Sequence, residues 1–420
     1  MSRTLAEWLT YIERQHPKSI DMGLERVRDV ATRLGLGRPA AHVVTVGGTN
    51  GKGSTVAFIE TIAREAGLRV GAYTSPHLLA YNERVRIDGE DVGDAALVEA
   101  FEAIEASRAG VTLTYFEYGT LAALWLFERA ALDIAVLEVG LGGRLDATNI
   151  VDADVAVITT VDIDHQEYLG PDREAIGFEK AGIARAWKPL VLGDDDPPSS
   201  VLRRAYAIGA SAVRIGCDFF FDAAGDGWRW REVGCEFELP LPQLQAPAQL
   251  RNAAVALAAL RSLDIELPES AIARGVAHAQ VRGRLQRFER DGVDVVLDVA
   301  HNPQAARQLA DWLERSPPVG EVHAVFAALA DKDVQAIVEA LAPHVAHWHL
   351  AGLEGHGPRG TGVDALAERL GATPACNGTR HVDVAAALSG SLAAARPGDR
   401  VIVFGSFHTV ADALVQLGAG

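Results

Sequence analysis

A glycine-rich segment, Gly47–Thr55, contains one lysine and several hydroxyl residues among its glycines. It lies between an apolar run typical of a buried strand, His42–Val46, and helical periodicity over residues 54–66. Glycines let successive backbone N–H groups turn toward an anion, and the start of the next helix adds a favourable dipole. Lys52 can reach the outer phosphates of a nucleotide, and the Ser54 hydroxyl can hold a magnesium ion. The segment therefore predicts a phosphate-binding loop.

The pattern departs from the standard P-loop, which has glycine at the first position and Ser or Thr directly after the lysine. Here Val46 takes the first position, and Gly53 separates Lys52 from Ser54. A glycine-rich turn with an incidental lysine remains an alternative, although the strand–helix setting favours phosphate binding. The residues expected to contact ATP are Thr49, Asn50, Gly51, Lys52, Gly53 and Ser54.

Polar residues lie at the carboxyl ends of three other predicted strands: Thr74–His77, Glu138, and Asp162–His165. Open α/β sheets bind ligands at the carboxyl ends of their strands. A carboxylate within an apolar strand is costly to bury unless it is paired or ligated. Taken alone, Glu138 could be a structural ion-pair partner, His165 a loop histidine and Lys180 a solvated lysine. Only their convergence with the phosphate loop favours a metal site.

Short apolar runs alternate with helical segments, which predicts an α/β doubly wound sheet. Tryptophans and glycines within Cys217–Leu241 suggest a small antiparallel hairpin. After a charged stretch, Arg287–Gly292, the alternation begins again. Two domains are therefore predicted, over residues 1–286 and 292–420. The strand candidates are Val70–Thr74, Ile134–Val139, Val155–Thr160, Val293–Val299, Val322–Phe326 and Arg400–Phe404.

The composition is that of a globular protein, with 49% hydrophobic residues and a net charge of −17. This charge argues against a general affinity for nucleic acid or an anionic membrane. Three unpaired cysteines, the absence of a long apolar span and a polar N-terminal amphipathic helix lead us to expect a cytoplasmic protein.

Taken together, these motifs resemble the folylpolyglutamate synthase family of the Mur ligase superfamily. The segment Tyr115–Thr120 resembles its bacterial bifunctional members, which also act as dihydrofolate synthases. Two places depart from the family pattern: Leu250-Arg251 before Asn252, and a longer loop at Gly352–Gly362. The motifs that carry the resemblance are Gly48–Ser54, Ser75–His77, Leu137–Asn149, Asp164-His165, Glu179–Ile183, Asp298–Pro303 and Gly405–His408.

The resemblance implies an N-terminal P-loop-type ATPase domain and a smaller, Rossmann-like C-terminal domain that binds glutamate. It implies two Mg²⁺ ions, the first held by Ser54, Ser75 and Glu138. The second would be held by Glu138, His165 and a carbamylated Lys180, so that Lys52, Glu138, His165 and Lys180 are the expected catalytic residues. Further ATP contacts would come from Asn252, Arg284 and Asp298, and glutamate contacts from His301 and Ser406. The implied pterin pocket is formed by Ile20, Asp21, Met22, Phe116, Leu145, Asp146 and Ala147.

The implied reaction joins L-glutamate to dihydropteroate, and to the γ-carboxyl of reduced folates, through an acyl phosphate formed from ATP. The enzyme is expected to be a monomer. Four other functions remain open: a folylpolyglutamate synthase without dihydropteroate activity, a peptidoglycan-type Mur ligase, a plain P-loop NTPase, and a non-catalytic ATP-binding protein.

Overall fold

The computed structural model describes residues 3–243, 246–357 and 359–419. Residues 1, 2, 244, 245, 358 and 420, which belong to the predicted domain ranges, lie outside it; residue 358 is part of the loop Gly352–Gly362. The described chain forms two compact units. The first holds residues 3–243 and 249–280, and the second holds residues 246–248 and 281–419.

The first unit is built on an eight-stranded sheet and a separate three-stranded sheet. The strands are β1 (Ala40–Gly47), β2 (Val70–Tyr73), β3 (Val85–Ile87), β4 (Glu90–Asp91), β5 (Leu132–Glu138), β6 (Val155–Ile158), β7 (Pro189–Leu192), β8 (Ser211–Arg214), β9 (Phe219–Ala224), β10 (Gly227–Glu232) and β11 (Cys235–Pro240). The helices are α1 (Leu5–Glu13), α2 (Glu25–Leu34), α3 (Lys52–Glu65), α4 (Asp94–Ser107), α5 (Tyr115–Arg129), α6 (Gln166–Leu169), α7 (Arg173–Lys180), α8 (Ser199–Ile208), α9 (Ala248–Arg261) and α10 (Glu269–His278).

The large sheet has the order β4-β3-β2-β5-β1-β6-β7-β8, with parallel pairing from β2 to β8. Neighbouring side chains such as Val43 and Val44 are both fully buried, so both faces of β1 are covered. Continuous apolar runs are what such strands require, and the predicted strands β1, β2, β5 and β6 are confirmed. The antiparallel edge strands β3 and β4 were not predicted, because they are short and charged.

The segment predicted as a hairpin forms the three-stranded antiparallel sheet β9–β11. Trp228 and Trp230 are fully buried. The Trp230 ring stacks on Phe219 and Phe237, with centroids 6.2 and 5.8 Å away. Aromatic packing thus gives this small sheet its own core.

The second unit contains a six-stranded sheet of order β12-β13-β17-β14-β15-β16, in which only β12 is antiparallel to its neighbour. This agrees with the predicted smaller α/β domain. The strands are β12 (Gln286–Arg290), β13 (Val293–Leu297), β14 (Val322–Phe326), β15 (His347–Ala351), β16 (Thr379–His381) and β17 (Arg400–Phe404). The helices are α11 (Pro303–Arg315), α12 (Val334–Leu341), α13 (Val363–Leu370), α14 (Val384–Ala394) and α15 (Phe407–Gln416).

The domain boundary predicted between residues 286 and 292 is displaced. Those residues form β12 and a tight turn inside the second unit, whose main segment begins at Val281. Arg287 donates hydrogen bonds of 3.0 Å to Asp294 on the neighbouring strand. A charged edge strand resists pairing with other chains. The same charged composition is typical of a linker, which is why the sequence predicted a boundary here.

Among the described residues, no helix combines the length and the apolar character that crossing a membrane would demand.

A polar cluster joins three helices of the first unit around Glu105 of α4. Its carboxylate accepts hydrogen bonds from Tyr11 at 2.9 Å, from Tyr118 at 2.6 Å and from Arg108 at 2.7 Å. Burial alone would raise the pKa of Glu105, but the hydrogen bonds from Arg108 and the two tyrosines outweigh it and lower the pKa to about 2. The ionised carboxylate therefore stabilises the folded state.

We predict that Glu105→Gln lowers the free energy of unfolding of the first unit by roughly 1–2 kcal/mol at pH 7, after allowance for solvent screening. Because the folded pKa is depressed, this contribution is present above the unfolded value of about 4.3 and lost as pH falls toward 2. Urea unfolding of both proteins at several pH values measures the difference. Glu99→Gln, an exposed change on the same helix, serves as the control. A difference that does not shrink in acid would contradict this account.

Candidate active site

The predicted phosphate loop connects the end of β1 to α3, and two of its glycines have positive φ: Gly48 at +146° and Gly51 at +85°. A β-carbon on Gly48 would lie 1.9 Å from Thr159 Oγ1. One on Gly51 would lie 2.5 Å from Asn252 Oδ1. Both glycines are therefore needed for backbone conformation and for space.

The segment that follows β6 braces this loop through a set of hydrogen bonds. The Thr49 amide donates to Thr160 O at 2.8 Å, and the Asn50 amide donates to Thr160 Oγ1 at 3.1 Å. The Thr49 hydroxyl accepts from the Asp162 amide at 3.0 Å and donates to Asp162 O at 3.1 Å. The loop and the segment leading to Asp164 and His165 thus form one hydrogen-bonded assembly.

Lys52 and Asn252 both lie against the loop. The Lys52 ammonium donates to Gly48 O at 3.0 Å and Thr49 O at 3.2 Å. Asn252, on α9, donates to Gln249 at 3.0 Å while its amide oxygen faces Gly51. The preceding residue, Arg251, donates to Gly193 O at 2.9 Å.

Glu138 ends β5 and faces the start of α3. Its side chain is only 4% exposed, and its Oε2 accepts from the Ser75 amide at 3.2 Å. A β-carbon on Gly53 would lie 3.8 Å from the same oxygen. The predicted first metal ligands Ser75 and Glu138 are therefore in contact, and Glu138 lies beside the residue that precedes Ser54.

Lys180 ends α7 and is buried, with 3% of its surface exposed. The pKa of Lys180 is lowered to about 7, mainly by burial and secondly by the charge of Lys52. The charges of Asp164 and Asp146 oppose this shift. Gly143 packs closely against this end of α7. A β-carbon on Gly143 would lie 2.9 Å from Glu179 O and 3.0 Å from Lys180 O. At neutral pH a substantial share of the amine is uncharged.

His165 follows β6 in a left-handed conformation, with φ of 50°. Its amide donates to Asp164 Oδ1 at 2.9 Å, and its side chain is 29% exposed. It thus adjoins Asp164, whose charge acts on Lys180.

Within residues 3–243, 246–357 and 359–419, no three His, Cys, Asp or Glu side chains are grouped so as to hold an ion by themselves. Mg²⁺ fits this arrangement, because it usually keeps several waters and takes one or two carboxylates together with substrate phosphates. The buried Glu138 carboxylate next to the phosphate loop is a ligand of this kind.

The predicted pterin residues surround the glycine-rich segment after β5. A β-carbon on Gly140 would lie 2.6 Å from Phe116 Cζ, and one on Gly142 would lie 3.5 Å from Met22 Cε. Ile20 and Asp21 precede Met22, and the Phe116 ring lies 5.8 Å from that of Tyr73. Leu145, Asp146 and Ala147 continue the same segment.

Asp146 is buried, and burial raises the pKa of its carboxyl. Its oxygens accept from the Thr148 amide at 3.0 Å, the Thr148 hydroxyl at 2.7 Å and the Leu141 amide at 2.9 Å. The side chain therefore shapes the segment, and its protein contacts limit what it can offer a ligand.

The second unit brings together its four predicted residues near Phe407. The Arg284 guanidinium lies 5.6 Å from the Phe407 ring, and the His301 ring lies 6.0 Å from it. Asp298 is close enough to Arg284 for that charge to lower the pKa of its carboxyl, although burial has the larger effect and raises it. Ser406 caps α15, accepting from the Thr409 amide at 3.0 Å.

Sequence reasoning missed the residues that support these groups. Thr159 and Thr160 brace the phosphate loop, and Arg26 contacts both Asp21 and Glu117. The capping-box pattern Thr114–Glu117 is visible in the sequence, but it indicates only where α5 begins. Apart from that of Arg26 with Asp21, the other contacts join residues far apart in the chain.

Comparison with known proteins shows the family of this chain. The family model of the Mur ligase middle domain matches residues 46–259, and that of the Mur ligase glutamate ligase domain matches residues 283–407. The chain belongs to the Mur ligase superfamily, and within it to the folylpolyglutamate synthase family. It is 47% identical over 416 residues to the dihydrofolate synthase/folylpolyglutamate synthase of Escherichia coli K12, across 99% of this chain and 96% of the relative.

Solved structures are similar over the full length. FolC of E. coli in complex with DHPP and ADP has a TM-score of 0.94 and 46% identity, covering 100% of this chain and 98% of that one. A bifunctional folylpolyglutamate synthase/dihydrofolate synthase with Mn, AMPPNP and L-glutamate bound has a TM-score of 0.92 and 45% identity, covering 99% and 98%.

We predict that Gly143→Ala lowers kcat by roughly tenfold or more, because the new methyl group meets backbone carbonyl oxygens that cannot move cheaply. The nucleotide KM should change little, since the phosphate loop is untouched. Steady-state kinetics of phosphate release measure both. Gly93→Ala is the control, because open space surrounds that position. Equal activity of both variants would show that the contact at Gly143 does not position Lys180.

Proposed function

We propose that this protein is an ATP-dependent ligase that joins L-glutamate to dihydropteroate, giving dihydrofolate, and to the γ-carboxyl of reduced folates. The observation that carries the proposal is the meeting of three groups in one unit: the phosphate loop, the buried carboxylate of Glu138 and the buried amine of Lys180. Relatives whose names state both activities align with the whole chain.

The reaction has two steps in which both nucleophiles belong to substrates. A carboxylate oxygen of the acid attacks the γ-phosphorus of ATP, and the bond to ADP breaks. The amine of glutamate then attacks the acyl carbon, phosphate leaves, and the amine loses a proton. The protein must position these anions and offset their repulsion, a role that would fall to cationic side chains such as Lys52.

Ser54, Ser75 and Glu138 would hold one Mg²⁺ ion, and Glu138, His165 and Lys180 a second. When bound, the ions supply charge neutralisation and Lewis-acid polarisation of phosphoryl oxygens. A divalent ion is supported by the relative that contains Mn and AMPPNP. Asn252 and Asp298 would contact the nucleotide, and His301 and Ser406 the incoming glutamate.

A carbamate on Lys180 would complete the second site. Its neutral amine adds to carbon dioxide and releases a proton, which converts a nitrogen donor into an anionic oxygen ligand. The pKa of about 7 supports this step, because little free energy is needed to deprotonate the amine at neutral pH. Monomeric state and cytoplasmic location stay predictions.

Phosphate release from Mg-ATP in the presence of glutamate is the decisive measurement, with dihydropteroate or a tetrahydrofolate as the acid. We expect release with both acids, and products one glutamate heavier by mass spectrometry. Release with tetrahydrofolate alone would indicate a folylpolyglutamate synthase without dihydropteroate activity. Release that needs neither acid would indicate a plain NTPase.

We predict that Lys180→Ala loses activity by at least about a hundredfold, the scale for removing a ligand or its outer support from a metal site. Wild-type enzyme depleted of bicarbonate should lose activity and regain it on addition of bicarbonate. Lys188→Ala, at an exposed lysine, is the control. Full activity of Lys180→Ala, or no response to bicarbonate, would overturn the carbamate.

A further inference from the structure

The segment Ile20–Met22 belongs to neither a helix nor a strand, yet it is held firmly between α1 and α2. Met22 reaches the glycine-rich segment after β5, where it lies 3.5 Å from the β-carbon position of Gly142. Phe116 reaches the same segment from α5, at Gly140. A pocket formed by these parts depends on whatever fixes Ile20–Met22 relative to α5.

Arg26, in the first turns of α2, makes that connection. Its guanidinium lies 2.5 Å from Asp21 Oδ2 and donates to Asp21 O at 2.9 Å. The same group donates to Glu117 Oε1 at 3.1 Å. The Arg26 side chain is 28% exposed and that of Glu117 only 4%, so the pair is shielded on one side.

Glu117 is itself fixed in place. Its second carboxylate oxygen accepts from the Thr114 amide at 2.7 Å, within the capping box that starts α5. It is the residue after Phe116. Arg26 therefore ties the backbone of Ile20–Met22 to the helix turn that carries the aromatic wall of the pocket. Lys18 also contacts Asp21, at 3.1 Å, but is 68% exposed and touches no other element through that contact.

The two acids of the proposed function differ in length, so a pocket at a fixed distance from Glu138 would discriminate between them. The reacting carboxylate must reach the same centre, beside Glu138, in both cases. In dihydropteroate it is attached directly to the aminobenzoyl ring, whereas in a tetrahydrofolate a glutamyl residue intervenes and adds at least roughly 3.5 Å. A pterin group cannot occupy one fixed position in both productive complexes. Gly140 is two residues from Glu138, so a pocket there suits the shorter acid.

We propose that Arg26 and Glu117 are positioning residues that order Ile20–Met22 over the pocket and thereby enable the use of dihydropteroate. The proposal rests on the proposed function, since it assigns a role within one of its two reactions. Glutamate addition to the longer acid depends much less on this bridge.

The experiment compares both reactions in the same holoenzyme. Arg26→Met should raise the KM for dihydropteroate about tenfold or more, the effect expected from losing charge-assisted hydrogen bonds. The KM values for ATP and tetrahydrofolate should stay within about twofold. Glu117→Gln keeps an acceptor for the Thr114 amide and should shift selectivity in the same direction. Arg28→Met, an exposed change on the same helix, should shift nothing.

The ratio of kcat/KM for the two acids separates this role from a purely structural one, since loss of folded enzyme lowers both reactions equally. An unchanged ratio in Arg26→Met and Glu117→Gln would overturn the inference while the proposed function stands. A wild-type enzyme that neither binds nor uses dihydropteroate would overturn both, because the pocket would then have no such substrate.

Discussion

The burial of a carboxylate and an amine at the end of a fully covered sheet is the constraint on which this structure depends. Glu138 and Lys180 are each almost inaccessible, and neither can remain charged there without compensation. The surrounding loops supply it. The backbone amide of Ser75 donates to Glu138, and burial lowers the pKa of Lys180 to about 7.

The burial of Glu138 and Lys180 also requires the surrounding backbone segments to approach each other closely. Three segments meet at the carboxyl end of the large sheet: the phosphate loop, the segment after β5 and the end of α7. At Gly48 and Gly143, any side chain would collide with Thr159 or with the carbonyls of α7. Glycine is required here for space, and at Gly48 for its backbone conformation too. The long motif after β5 is thus explained by packing as well as by chemistry.

The sequence was sufficient to predict the buried strands β1, β2, β5, β6, β13, β14 and β17, because an element covered on both faces must be continuously apolar. It missed β7 and β15, which are also largely buried. It was also sufficient for the glycine-rich connection between β1 and α3, whose residue spacing is local. It failed for the edge strands β3, β4 and β12, whose charged residues read as loop or linker. Contacts such as Arg26 with Glu117 join residues far apart, so no local pattern reveals them.

The net charge of −17 does not prevent the binding of anionic substrates, because binding depends on groups close to the site. Distant carboxylates are screened beyond roughly 8 Å at physiological salt, whereas the loop amides, the start of α3 and Lys52 act within a few ångströms. A second lysine cation at position 180 would repel Lys52, and after burial this repulsion is the second cause of the lowered pKa of Lys180. A carbamate there would go further and create an anion, which is stable in this dry position only beside cations. A carbamate on Lys180 and a second metal ion would therefore stabilise each other.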